Sequence, residues 1–199
     1  MMKKQVLFLC TGNSARSQLA EAIFNHMAGE MFHAESAGVH PSDVDTRVFD
    51  VLKAHQISHE ELRSKDYAEV EKNHYDFVIT LCDNAKDECV IFDQDIDQLH
   101  WNLVDPKPLE GVEPFQNTAK ELIERISLFL LLNRVSRHLA LLRDTTFLKD
   151  TRHGLWIHYR LSPSLPMWIK HLLQTVRVGN PGIINAEKSR LKAAQNNEQ

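Results

Sequence analysis

Val6-Leu7-Phe8-Leu9-Cys10-Thr11-Gly12-Asn13-Ser14-Ala15-Arg16-Ser17-Gln18-Leu19-Ala20 decides the fold. Four apolar residues stop abruptly at small polar ones, and a helical pattern running to Phe24 follows. That order spells a strand, a tight loop and a helix, which puts Cys10 at the carboxyl end of the strand. Gly12 and its small neighbours let successive backbone N–H groups turn inward, and the helix starting near Arg16 adds its positive end. Thr11, Gly12, Asn13, Ser14, Ala15, Arg16 and Ser17 therefore form an anion nest. Five residues separate Cys10 from Arg16, enough for a guanidinium to close over a tetrahedral oxyanion and grip two of its oxygens. Ser17 can donate a hydrogen bond to the sulfur. The plainer alternative is a buried structural cysteine in an ordinary strand-to-helix turn.

Outward from the loop, Phe32 to Val39 reads as a second strand leaving through Gly38, and Arg47 to Gln56 as a helix with Val48, Val51 and Leu52 on one face. Glu60 to Lys72 reads as a polar helical surface segment. Asp76 to Leu81 is a third strand, ending at Cys82, and Leu99 to Val104 a fourth, ending at Asp105-Pro106. Phe115 to Leu132 is a long helix with an apolar stripe. Strands alternating with helices predict an α/β fold with a four-stranded parallel sheet and flanking helices. In such sheets ligands collect at the carboxyl ends of the strands, where Cys10, Cys82 and Asp105 converge. Asp105-Pro106 also has an ordinary reading as a turn.

The 199 residues, 43% of them hydrophobic, hold one medium domain or one domain with a small appendage. No stretch reaches the roughly 18 apolar residues that cross a bilayer, so no membrane partner is expected. The first ten residues have the look of a signal peptide, but their apolar part is short and no small-residue cleavage site follows, so a buried first strand is the better reading. Three cysteines, an odd count, suit a reducing cytoplasm rather than a secreted disulfide framework. Cys82 and Cys89 enclose the polar run Asp83-Asn84-Ala85-Lys86-Asp87-Glu88. On a helix the two thiols would stand about 10 Å apart along the axis, too far for a disulfide, so a bridge needs the segment to unwind. A chance pair or a metal pair is the alternative, though the spacing without a nearby His is poor for zinc.

Residues 6–24 resemble the phosphate-binding loop of the low-molecular-weight protein tyrosine phosphatases. Cys-Thr-Gly-Asn-Ser-Ala-Arg-Ser is closer to the form found in their arsenate reductase relatives. The placing of Cys10, Cys82 and Cys89 resembles that of the thioredoxin-coupled arsenate reductases. The resemblance implies Cys10 as nucleophile, the loop with Arg16 as oxyanion clamp and Asp105 as general acid. It further implies a relay in which Cys82 attacks Cys10 and expels arsenite, and Cys89 resolves that disulfide. The resulting Cys82–Cys89 disulfide is presented to thioredoxin, whose potential is about −270 mV. Arsenate or phosphate is the implied oxyanion. No cofactor is required. A structural potassium ion is the one candidate, with Asn13, Glu21, Ser36 and Asp66 at the positions that shape the loop or bind a monovalent cation in some of these reductases. Val90 stands where a Pro commonly follows the third cysteine, and Gln116 where the last helix usually offers an Arg. A tyrosine phosphatase using only Cys10, Arg16 and Asp105 is the competing enzyme.

Charge divides the chain. Residues 1–132 carry 12 Lys and Arg against 23 Asp and Glu, a net −11, and residues 133–199 carry 11 against 4, a net +7. Val135 to Arg143 resembles the recognition helix of ArsR-type winged-helix repressors. Phe147 to Ser162, with an Arg152-His153-Gly154 turn, resembles their wing hairpin, and Pro166 to Leu173 the helix after it. That resemblance is partial, since phosphatase-like sequence occupies the place of the supporting helices. It implies Ser136, Arg137, His138, Arg143 and Arg152 as DNA contacts, and a regulator with an oxyanion-sensing domain as a third reading. The expected divisions are a reductase domain over 1–132, a partial winged helix over 133–178, and a mobile tail over 179–199.

Overall fold

The computed structural model describes residues 3–29, 31–83, 96–153 and 156–179. Strand β1 is Lys4–Cys10, helix α1 Arg16–Ala28, β2 Phe32–Gly38, α2 Thr46–Ala54, α3 Tyr67–Val70, β3 Phe77–Thr80 and β4 Asp97–His100. Helix α4 is Glu113–Asp144, and β5 Leu148–His153, β6 Trp156–Leu161 and α5 Met167–Gly179 follow. The chain divides into two compact units, Met1–Asn133 and Arg134–Gln199.

In the first unit the sheet order is β2-β1-β3-β4 and every pairing is parallel, the α/β architecture that the alternation predicts. Side chains alternate across a strand, and β1 shows both consequences. Val6, Phe8 and Cys10 belong to the larger core with Leu19, Ile23 and Phe24 of α1, Val48, Val51 and Leu52 of α2, and Phe115, Leu122 and Ile126 of α4. Leu7 and Leu9 face the other way, into a smaller core with Val70, Tyr75 and Val78. Phe129 of α4 sits edge-on to Phe77, 5.0 Å between ring centroids, and 5.8 Å from Phe24. The chain leaves β1 for β2 on one side and returns to β3 on the other. The sheet therefore switches direction beside β1, where α/β folds open a crevice at the strands' carboxyl ends.

Three expectations shift. The fourth strand covers Asp97–His100 rather than residues 99–104. The chain beyond it still follows β3, because Trp101 N donates to Thr80 O at 2.8 Å and Leu103 N to Leu81 O at 3.1 Å. Within the segment 60–72, only Tyr67–Val70 is helical, started by an Asp66 capping box. Residues 115–132 and 135–143 are not separate helices but parts of α4.

In the second unit β5 and β6 form an antiparallel pair, followed by α5. Arg152 and His153 lie within β5 rather than in a turn, and Gly154, like the tail beyond Gly179, lies outside the described residues. No described helix is long and apolar enough to cross a membrane.

The end of β2 is pressed against the loop after β1. A Cβ on Gly38 would stand 2.7 Å from Thr11 O and 2.8 Å from Asn13 N, both backbone atoms. Gly38 N is held by Lys65 O at 3.0 Å, so the strand has little room to retreat. Gly38→Ala is expected to destabilise the protein by about 1–3 kcal/mol, the range for overpacking; urea unfolding measures it, and an unchanged midpoint would mean that the loop yields.

Candidate active site

The loop Thr11–Ala15 owes its shape to what its carbonyls do. His40 N donates to Thr11 O at 2.8 Å, Ser42 N to Gly12 O at 2.9 Å and Asp45 N to Ser14 O at 2.9 Å, all from the chain between β2 and α2. Asn13 O accepts from Gln18 Nε2 at 3.1 Å. With four consecutive carbonyls bonded outward, the amides are left to the concave side. Asn13, at φ 42, turns the loop there, in the left-handed region that Asn tolerates better than most residues. Its own N–H reaches Cys10 Sγ at 3.1 Å. Helix α1 starts without a side-chain cap and without acidic residues in its first turn, so its positive end stays available to an anion.

Asn13 is fully buried and organises what lies behind the sulfur. Its Nδ2 donates to Ser17 Oγ at 2.9 Å and to Ser36 Oγ at 2.8 Å, and its Oδ1 accepts from Lys65 N at 2.7 Å. Ser17 Oγ, accepting from Asn13, has its own hydrogen free for Cys10 Sγ, 2.9 Å away. Ser36 passes its hydrogen to Glu21 Oε2 at 2.6 Å. The Lys65 ammonium lies 3.3 Å from the same oxygen, both side chains being largely buried. Of the four candidate cation-site residues, Asn13, Glu21 and Ser36 are thus brought together, beside an ammonium the chain itself provides. Asp66 instead spends its carboxylate on Ala68 N at 2.8 Å, capping α3. Among the described residues no group of three or more His, Cys, Asp or Glu side chains could hold a metal ion.

A cleft of about 490 Å³ opens above the loop, lined by Cys10, Arg16, Cys82, Asp105 and Lys107 among others. Cys10 and Cys82 are both buried and both free thiols. Thr11 Oγ1 lies 3.4 Å from Cys82 Sγ. Arg16 is oriented by Leu103 O at 3.1 Å and by Asp105 Oδ2 at 3.5 Å, which brings clamp and candidate acid face to face. Residues on either side of Cys82 are bonded across to the end of β4 and the chain just past it: Thr80 Oγ1 bonds His100 Nδ1 at 2.8 Å, and Asp83 is held by His100 Nε2 and by Asn102 Nδ2, each at 3.1 Å. Cys89 and Val90 lie outside the described residues.

The segment after Asp105 is anchored by Arg47. The Arg47 guanidinium holds the Asp45 carboxylate at 2.7 Å, and this bond keeps that carboxyl below the usual carboxylate range. The same guanidinium donates to the carbonyls of Lys107 (3.2 Å), Leu109 (2.7 Å) and Gly111 (3.3 Å) and stacks on the Phe115 ring, 4.2 Å from its centroid. Sequence reasoning missed Arg47, Lys65 and Lys107. Each lies far along the chain from the loop it serves and carries no local motif.

In the second unit Ser136, Arg137 and His138 are exposed on α4. Arg143 pairs with Asp144 at 3.3 Å and Asp150 at 3.9 Å, and Arg152 is exposed on β5.

The sequence matches the family described as low molecular weight phosphotyrosine protein phosphatase over residues 5–140. It is 33% identical over 137 residues to an arsenate reductase from Oceanobacillus iheyensis, which spans 65% of this chain and 96% of that relative. A solved arsenate reductase from Archaeoglobus fulgidus matches with TM-score 0.54 and 30% identity over 63% of this chain and 98% of its own. A thioredoxin-dependent arsenate reductase from Corynebacterium glutamicum matches with TM-score 0.57 and 26% identity over 67% of this chain and 63% of its own. The family match stops before the β5–β6 hairpin, so the repressor resemblance rests on the sequence alone.

Asn13→Ala strips partners from Ser17, Ser36, Gln18 and the Lys65 amide and puts a less tolerant residue at positive φ. A loss of about 3 kcal/mol is expected from the unpaired buried groups, with at least a tenfold weaker affinity for inorganic phosphate. Urea unfolding and phosphate titration measure the two; phosphate affinity that survives the substitution would mean the loop keeps its shape without the network.

Proposed function

Because the chain belongs to the low molecular weight phosphotyrosine protein phosphatase family, whose chemistry is that of a cysteine enzyme acting on an oxyanion, we propose that it reduces arsenate to arsenite. The observation that carries this reading beyond hydrolysis is Cys82. A phosphatase needs a nucleophile, a clamp and an acid, which Cys10, Arg16 and Asp105 supply. It has no use for a second free thiol lining the same cleft, one hydroxyl away from the loop.

The proposed sequence of steps follows. Arsenate lies in the nest of residues 11–17, its charge held by the converging amides, the start of α1 and Arg16. Cys10 Sγ attacks arsenic, and Asp105 gives its proton to the oxygen that leaves as water. Cys82, as thiolate, then attacks Cys10 Sγ. The sulfur–arsenic bond breaks with its electron pair going to arsenic, which departs as arsenite, and a Cys10–Cys82 disulfide remains. Two electrons from two thiols balance the reduction of As(V) to As(III). Cys89 attacks Cys82 and frees Cys10, and the dithiol of thioredoxin reduces the Cys82–Cys89 disulfide by exchange. The role of thioredoxin is supported by the relative from Corynebacterium glutamicum.

No bound cofactor enters these steps. The Lys65 ammonium against Glu21 supplies the positive charge that a monovalent ion would bring to the back of the loop, so activity should not depend on added potassium.

Cys82→Ser separates reductase from phosphatase. With thioredoxin and its reductase, repeated arsenate turnover is expected to fall below about 1% of wild type, whereas p-nitrophenyl phosphate hydrolysis stays within about threefold, since it uses only Cys10, Arg16 and Asp105. Sustained arsenate turnover by the variant would reject the relay. Equal loss of both activities would show that Cys82 shapes the loop rather than carrying electrons.

A further inference from the structure

We propose that Lys107 is a specificity-determining residue of this cleft, favouring a free tetrahedral oxyanion over an aryl phosphomonoester; the inference rests on the reductase reading and sharpens its substrate class.

Lys107 Nζ donates to Ser14 Oγ, on the rim of the loop, at 3.0 Å. Lys107 N donates to Asp105 Oδ1 at 3.2 Å, so one turn delivers the acid and the ammonium to the same mouth. An ammonium has three N–H donors. Ser14 takes one, leaving two for a guest.

The charges around the mouth are unevenly committed. Arg16 faces Asp105 and the Leu103 carbonyl. Asp45, the carboxylate on the neighbouring segment, is already bonded to Arg47. The charge on Lys107 is therefore the one least compensated at the entrance, and it faces Ser14 rather than a carboxylate.

Attack by Cys10 requires the leaving oxygen on the side of the oxyanion away from the sulfur, where Asp105 can protonate it. In a free oxyanion that fourth oxygen bears a charge or a hydroxyl, which the ammonium can bond. In an aryl ester it bears a ring, which would press against the ammonium and strip its water. The described lining of the cleft contains no aromatic side chain on which such a ring could stack. The mouth offers Asp83, Asn102, Asp105 and Lys107 instead.

The test compares the reduced wild-type protein with Lys107→Met, which keeps the length of the side chain and removes its charge, and with Lys107→Arg. Inorganic phosphate is titrated calorimetrically, and p-nitrophenyl phosphate hydrolysis gives KM and kcat. Lys107→Met is expected to raise the Kd for phosphate about tenfold, the order of one charge-assisted hydrogen bond, while the KM for the ester changes less than threefold. Lys107→Arg should restore phosphate affinity to within about threefold of wild type. Equal changes for the two ligands, an unchanged phosphate Kd, no phosphate binding by wild type, or no recovery with Arg would each overturn the assignment. Failure of the reductase reading looks different: wild type would not reduce arsenate, yet the ratio of phosphate to ester affinity would still shift with Lys107→Met.

Discussion

The site depends on the outward bonding of four consecutive carbonyls, those of Thr11, Gly12, Asn13 and Ser14. Peptide groups are planar, so a carbonyl fixed on one side constrains its neighbouring N–H groups toward the other. The chain between β2 and α2 supplies three of the donors and Gln18 the fourth. An anion nest is otherwise a costly arrangement, because like-signed dipoles are gathered at one point with nothing between them. Here the cost is offset by these outward hydrogen bonds, three from backbone amides and one from the Gln18 side chain. The bonds that shape the loop are made by its carbonyls, away from the concave side, so its amides are preorganised, which is the condition for electrostatic stabilisation to act on a reacting group. Gly38 belongs to the same arrangement, since only a missing Cβ lets the end of β2 lie against the backbone of the loop.

The central strands and the reactive loop were legible because their signals are local. An apolar run, a cysteine, small residues and a helix occur within twenty residues, and β1 and β3 are apolar on both faces. The convergence of Cys10, Cys82 and Asp105 followed from topology, as Cys10 ends β1 and the other two lie in the chain just past the carboxyl ends of β3 and β4 in a parallel sheet. The edge strand was misplaced because Asp97-Gln98-Leu99-His100 carries little apolar signal, whereas Trp101 and Leu103 do and sit just past the ladder. Residues 60–72 are mostly polar, with Leu62, Ala68 and Val70 as the apolar exceptions, and the pattern could not show that only the turn capped by Asp66 becomes helical.

The supporting residues were illegible for a different reason. Lys65, Arg47 and Lys107 act on groups 44, 60 to 64, and 93 positions away along the chain. A lysine or arginine in a polar stretch reads as surface, and only the folded chain shows which ones meet a carboxylate or a carbonyl. Asn13 illustrates the intermediate case. Its place in the loop was evident, but its part as the hub joining Cys10, Ser17, Ser36 and Lys65 needs the end of β2 and the segment before α3 to be brought alongside.

These remote residues close a circuit. Ser14 O accepts from Asp45 N, the Asp45 carboxylate holds Arg47, Arg47 fixes the carbonyl of Lys107, and the Lys107 ammonium returns to Ser14 Oγ. Asp105 hangs from the same turn through the amide of Lys107. The loop after Cys10 and the turn that carries Asp105 are therefore tied to each other through the residues that open α2. Displacement of the segment after Asp105 would strain Arg47 against Asp45, and through Asp45 the outward bonding that shapes the nest. The position of the turn that carries Asp105 relative to the loop after Cys10 is therefore set by a closed ring of bonds rather than by two independent segments. The thiols lie outside the ring: Cys10 Sγ is bonded by Ser17 Oγ and Asn13 N, and Cys82 Sγ lies against Thr11 Oγ1.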